Sequence, residues 1–167
     1  MKRICLFVFL LGWMGISFVS AQNKLTTKNR TAVKLYEEAR NFYGLGKIAQ
    51  ASNALLQAID RDKDFIEAHL LLGDIYHNQK DHLKELEILK KAVAIDSTFF
   101  PSAYFNIGVA AFNAGLYPEA IDWFERFKWR FSDQRSAERV KGWLEKARFA
   151  QEAVGNAYDI ELVHSGP

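Results

Sequence analysis

The chain has 167 residues, 49% hydrophobic and 25% charged, with a formal net charge of +2, enough to bury one core of its own. That charge sits in Lys2 and Arg3, since no acidic residue precedes Gln22 and the remainder is neutral. A neutral chain gives no reason to expect nucleic acid, whose binding needs a clustered cationic surface, and a single cysteine, Cys5, excludes a disulfide framework.

Lys2 and Arg3 precede an apolar run from Ile4 to Phe18 that closes on Val19-Ser20-Ala21. This is the pattern of a signal peptide over residues 1–21, cut before Gln22. The run is short for a membrane span, and Cys5 lies inside it rather than at the cut, which argues against a lipid-modified N-terminus. The chain is therefore expected to be exported, to the periplasm and in association with the outer membrane in one reading. Residues 22–31 are polar and aperiodic and read as a flexible lead-in.

From Ala32 onward, helical stretches of about a dozen residues alternate with breaks. The short breaks are Gly44-Leu45-Gly46, Asn78-Gln79-Lys80 and Asn113-Ala114-Gly115; longer polar joints fall at Asp60 to Asp64, Asp96 to Thr98 and Ser132 to Gln134. Short and long joints in alternation are the rhythm of stacked helical hairpins. Next comes an amphipathic helix over residues 135–154, with Val140, Trp143, Leu144, Ala147 and Val154 on one stripe, suited to cover the open end of the stack. Residues 155–167 read as an extended tail in which Tyr158, Ile160 and Leu162 alternate with other residues.

Three units, residues 32–65, 66–100 and 101–134, superimpose in sequence. Ala39, Gly73 and Gly108 take the small position of the first helix; Leu35, His69 and Tyr104 take the bulky position before it. Leu55, Leu89 and Phe124 align in the second helix, and Asn113-Ala114-Gly115-Leu116-Tyr117-Pro118-Glu119-Ala120 makes the third unit's turn and second-helix start. These residues resemble the tetratricopeptide repeat family, whose period is about 34 residues. The resemblance implies an all-α fold, a right-handed solenoid of three hairpins with a C-terminal capping helix. Departures are Glu38 for a usual leucine, Lys63 and Ser97 for the closing proline, and Glu85 for a usual alanine. A carboxylate buried at a tight contact without a partner is costly, so the second hairpin is expected to be rotated or loosened at Glu85. The segment from Phe149 to Leu162 also resembles the junction, in envelope proteins of Bacteroidetes-type bacteria, between such an array and a WD40-like propeller with an OmpA-type domain.

The family resemblance places Tyr36, Arg40 and Tyr43, then Leu70, Asp74, His77 and Asn78, then Phe105, Phe112 and Asn113 on a concave groove for a protein or peptide. The alternative for several of these is packing between hairpins. A second surface is suggested by Trp129, which points away from the arc of Trp123, Phe124, Phe127 and Phe131, and by Phe149, which lies off its helix's stripe. Arg126, Arg130 and further basic residues up to Arg148 accompany them. Their alternative is mutual packing of Trp129 and Phe149 at the joint of the last helices.

For chemistry the second hairpin offers His69, Asp74, His77 and His82. Helical geometry is expected to separate them, and Asp74 with His77 alone would leave a zinc site incomplete. No phosphate loop, activated nucleophile or zincin motif occurs. The reading is a non-catalytic interaction scaffold with no catalytic residue, metal or cofactor. Its alternatives are the N-terminal module of an outer-membrane secretion or peptidoglycan-anchoring assembly and, with less behind it, a small metal-dependent enzyme.

Overall fold

A computed structural model describes residues 24–131 and 133–164, with side chains as far as residue 156. The signal peptide expected over residues 1–21 lies outside the described residues. Among those described, the backbone forms seven helices and no strand: α1 (Arg30–Gly44), α2 (Ile48–Arg61), α3 (Ile66–Asn78), α4 (His82–Ile95), α5 (Ser102–Asn113), α6 (Tyr117–Arg130) and α7 (Gln134–His164). None is long and apolar enough to cross a membrane.

Local chemistry sets the ends of these helices. Asn29 caps α1, its side-chain oxygen accepting from the backbone N–H of Thr31 at 3.0 Å and of Ala32 at 3.1 Å. The three hairpin turns share one device. The residue in the left-handed region is Gly46, Lys80 and Gly115 in turn, with φ of 70°, 59° and 77°. Its N–H and that of the next residue return to carbonyls of the helix just ended: Gly46 to Tyr43 and Lys47 to Phe42, Lys80 to His77 and Asp81 to Tyr76, Gly115 to Phe112 and Leu116 to Ala111. This paired return bonding satisfies carbonyls that a helix end would leave bare and reverses the chain within a few residues.

Within each hairpin the helices meet where side chains are small. Ala39 is fully buried in α1. A Cβ on Gly73 would stand 2.7 Å from Leu89 Cδ2, and one on Gly108 would stand 2.5 Å from Phe124 Cε1. Leu55, Phe65, Leu72, Ile75, Ile107, Phe124 and Val140 are the largest fully buried side chains and run through the stack as one core. Each contributes roughly 1.5–3 kcal/mol of apolar burial. Val140, Leu144 and Ala147 of α7 are buried against the third hairpin. The all-α solenoid with its capping helix is therefore present.

Three expectations are corrected. Residues from Lys24 to Asn29 are not a loose lead-in but a strap across the joint between α2 and α3. Thr27 is buried and its hydroxyl donates to Asp62; Thr26 donates its N–H to Glu67 Oε1 at 2.9 Å and its hydroxyl to Oε2 at 2.5 Å. Ile66 N–H bonds back to Thr26 Oγ1 at 3.2 Å, and Asn29 Nδ2 donates to the Arg61 carbonyl at 2.9 Å. Glu85 does not loosen the second hairpin: it is buried, and His77 and His82 satisfy its carboxylate. The tail from residue 155 is not extended either, because α7 runs through Gly155 to His164. One glycine costs a helix only about 1 kcal/mol, and no proline intervenes before Pro167. A lone strand would leave its backbone groups without partners that a helix supplies internally.

Candidate functional site

A cleft of about 610 Å³ opens between α3 and α5. Leu70, Asp74 and His77 recur at four- and three-residue spacing on α3, so they share the face that looks into it. Phe105 and Val109, four apart, line it from α5 beside Asn106; Leu89 of α4 contributes to the floor and Trp143 of α7 to the far wall. Trp143 stands nearly perpendicular to Phe105 and Phe112, with ring centroids 6.1 and 5.4 Å away, and lies tilted against Phe124 at 5.8 Å. The capping helix therefore reaches back over the third hairpin and closes one end of the cleft. Its walls are largely apolar, with Asp74, His77, Glu85 and Asn106 as the polar points.

The sequence-predicted groove residues divide accordingly. Leu70, Asp74, His77 and Phe105 come together at the cleft, Phe105 as a buried ring with the Arg139 guanidinium 3.8 Å from its centroid. Tyr43 of α1 donates its hydroxyl to Asp74 at 2.7 Å and accepts from Asn78 Nδ2 at 2.8 Å, so it ties α1 to α3. The bond to Asp74 stabilises the protonated phenol and raises the Tyr43 pKa above its ordinary value. Tyr36 packs on Phe65 at 5.0 Å, burial raising its pKa, and Arg40 pairs with Glu37 at 3.2 Å; neither lines the cleft. Phe112 lies between Tyr117 and Trp143, and Asn113 is exposed at the end of α5. Leu89, Asn106, Val109 and Trp143 line the cleft outside the groove pattern of the sequence, in which Leu89 and Trp143 hold only packing positions. Val109 follows Phe105 by one helical turn and was legible from spacing; Trp143 was not, because its place depends on how α7 docks.

On the second surface, Trp129 and Phe149 are 83% and 74% exposed, so their mutual packing does not occur. The nearby guanidiniums are engaged locally. Arg126 pairs with Asp122 at 2.9 Å and lies over the Trp123 ring; Arg130 lies over Tyr104 and donates to Ser97 at 3.3 Å; Arg148 pairs with Glu125 at 2.6 Å.

The histidines of the second hairpin are not kept apart as expected. His77 closes α3, His82 opens α4, and the turn brings both to Glu85: His77 Nδ1 lies 2.9 Å from Oε1 and His82 Nδ1 lies 3.1 Å from Oε2. An ionised carboxylate only accepts, so an imidazole bonds to it through a protonated ring nitrogen. Among the described residues this is a group whose donor atoms could hold a metal ion. His69 is separate and buried, its Nδ1 donating to the Phe65 carbonyl at 2.9 Å, and burial pushes its pKa down.

Solved structures share this arrangement of helices. The first TPR domain of Spaghetti (RPAP3), bound to an HSP90 peptide, matches with a TM-score of 0.61 at 20% identity, over 75% of this chain and 97% of that one. The N-terminal domain of stress-induced protein-1 from C. elegans matches with a TM-score of 0.62 at 22% identity, over 68% and 94%. The Yersinia enterocolitica type III secretion chaperone SycD, in complex with a peptide of the translocator YopD, matches with a TM-score of 0.60 at 18% identity, over 72% and 95%. At these identities the likeness is one of fold. No curated protein matches the sequence. The sequence model of the tetratricopeptide repeat matches residues 36–98 and 99–136, more than half of the chain; the chain belongs to the tetratricopeptide repeat family.

Proposed function

We propose that this chain is a non-catalytic scaffold of the periplasm that holds a segment of a partner protein in the cleft between α3 and α5. The observation that carries the reading is the cleft itself: an apolar trough walled by Leu70, Phe105, Val109 and Trp143, with Asn106 placed to bond a polypeptide main chain. Solved relatives of the same fold carry peptides of HSP90 and of YopD, which supports a peptide ligand while leaving its sequence open. Export rests on Lys2, Arg3, the apolar run from Ile4 to Phe18 and Ala21.

A photo-crosslinking residue tests the site without removing any core contact. Placed at Asn106, on the cleft wall, it is expected to capture a protein in intact cells, and mass spectrometry of the adduct reads the partner. The same residue at the exposed Trp129 is expected to capture much less. Capture from position 129 and none from 106 would overturn the cleft as the site. Recovery of the chain beginning at Gln22 from the periplasmic fraction checks the location, and an uncut cytoplasmic chain contradicts it.

A further inference from the structure

The buried carboxylate of Glu85 has no packing reason to be there. The equivalent positions of the other two hairpins hold Ala51 and Ala120, both fully buried, and Glu85 stands in the same place with two imidazoles drawn onto it. Three potential ligands converge, one ring nitrogen each from His77 and His82 and a carboxylate oxygen of Glu85, all within 4.8 Å of one another. We propose that His77, His82 and Glu85 bind a zinc-class divalent metal ion at the rim of the cleft.

The donor set selects the metal. Two imidazole nitrogens with one carboxylate oxygen suit zinc and its neighbours among the borderline transition metals, whereas magnesium and calcium prefer oxygen alone. The geometry is close to what such an ion needs. Ligand atoms about 2.0–2.2 Å from a tetrahedral metal lie about 3.3 Å from each other; His77 Nδ1 stands 2.9 Å from Glu85 Oε1 and His82 Nδ1 stands 3.1 Å from Oε2, so a metal ion that takes the place of the hydrogen-bonding protons finds a carboxylate oxygen beside each imidazole. Glu85 and His82 sit three residues apart on α4 and form the fixed side of the site. The His77 side chain is 51% exposed and supplies the movement that closes the third side. The charge also fits: a divalent cation compensates the charge of a buried carboxylate. The neighbouring carboxylates are engaged elsewhere, Asp74 by Tyr43 and Asp81 by Lys84 at 2.6 Å.

Three protein ligands leave the fourth position of a tetrahedron for water or for a donor group of another molecule. Because His77 also lines the cleft, that position lies at the cleft's edge. The site stands on its own residues and holds whether or not a peptide occupies the cleft.

Cobalt is the probe, because four-coordinate cobalt absorbs visibly whereas zinc is silent. Titration of the untagged full chain is expected to give tetrahedral cobalt bands that saturate at one equivalent and vanish on adding zinc. His77→Ala removes a half-exposed side chain but also one of the two partners of buried Glu85, so its fold is first checked by circular dichroism, and the folded variant is expected to weaken cobalt binding by more than the roughly 10–100-fold that losing an outer-shell partner costs. His69→Gln should bind as the unaltered chain does. Zinc, but not magnesium, should raise the melting temperature of the chain and leave that of His77→Ala unchanged. A folded chain with no cobalt bands, or equal affinity in His77→Ala, overturns the assignment.

Discussion

Lys80 has the same left-handed backbone as Gly46 and Gly115 but carries a side chain, with φ of 59°. An L-residue in that region costs roughly 1–2 kcal/mol where glycine costs nothing sterically. Lys80→Gly is therefore expected to stabilise the chain by about 0.5–1 kcal/mol after the glycine's greater unfolded-state entropy is deducted, read as a higher denaturation midpoint at constant slope. His69 makes a prediction of a different kind. Burial lowers its folded-state pKa, whereas the unfolded imidazole titrates near 6.5. Below that value the unfolded chain binds the extra proton, so the stability associated with neutral His69 is full above pH 6.5 and is lost progressively as the pH falls from there toward the lower folded-state value. The fall in melting temperature between pH 7.5 and pH 5.5 should be larger for the unaltered chain than for His69→Gln; equal falls would remove His69 as the cause.

At the scale of elements, the strap from Lys24 to Asn29 joins α1 to the α2–α3 joint through bonds that α1 itself does not make. Thr27→Val keeps the side-chain shape and deletes the donor to Asp62, at an expected cost of about 1–2 kcal/mol, measured by chemical denaturation. The hairpins were legible in the sequence because apolar spacing, small residues at 39, 73 and 108, and turn residues at 46, 80 and 115 all point to the same helices. The strap was not: its residues are polar and aperiodic, and their partners lie 32 to 41 residues further on. The grouping of His77, His82 and Glu85 was missed for a related reason. His77 and His82 lie on different helices, and only the tight turn that folds the end of α3 onto the start of α4 brings their side chains together, which helical spacing alone does not show. The tail was misread because Tyr158, Ile160 and Leu162 supply a strand's alternation without a neighbouring strand to use it.

Over the whole molecule the two ends of the stack are built differently. The first hairpin buries alanines, Ala32, Ala39, Ala51, Ala54 and Ala58, whereas the third is filled by Tyr104, Phe105, Trp123, Phe124 and Phe127 under Trp143. Half of the cleft was legible from the family's pattern on α3, and half was not, since its end wall belongs to a helix outside the repeats. The strap bears on a different matter, the order in which the chain emerges. Thr26 and Thr27 appear before Asp62 and Glu67, which hold them and follow 35 and 41 residues later. In a chain threaded N-terminus first, the first hairpin must therefore wait, with its outer edge untied, until the first turn of α3 has emerged. Its completion is thus timed by the arrival of the second hairpin, and a chain halted before Glu67 would carry a first repeat that cannot be fastened.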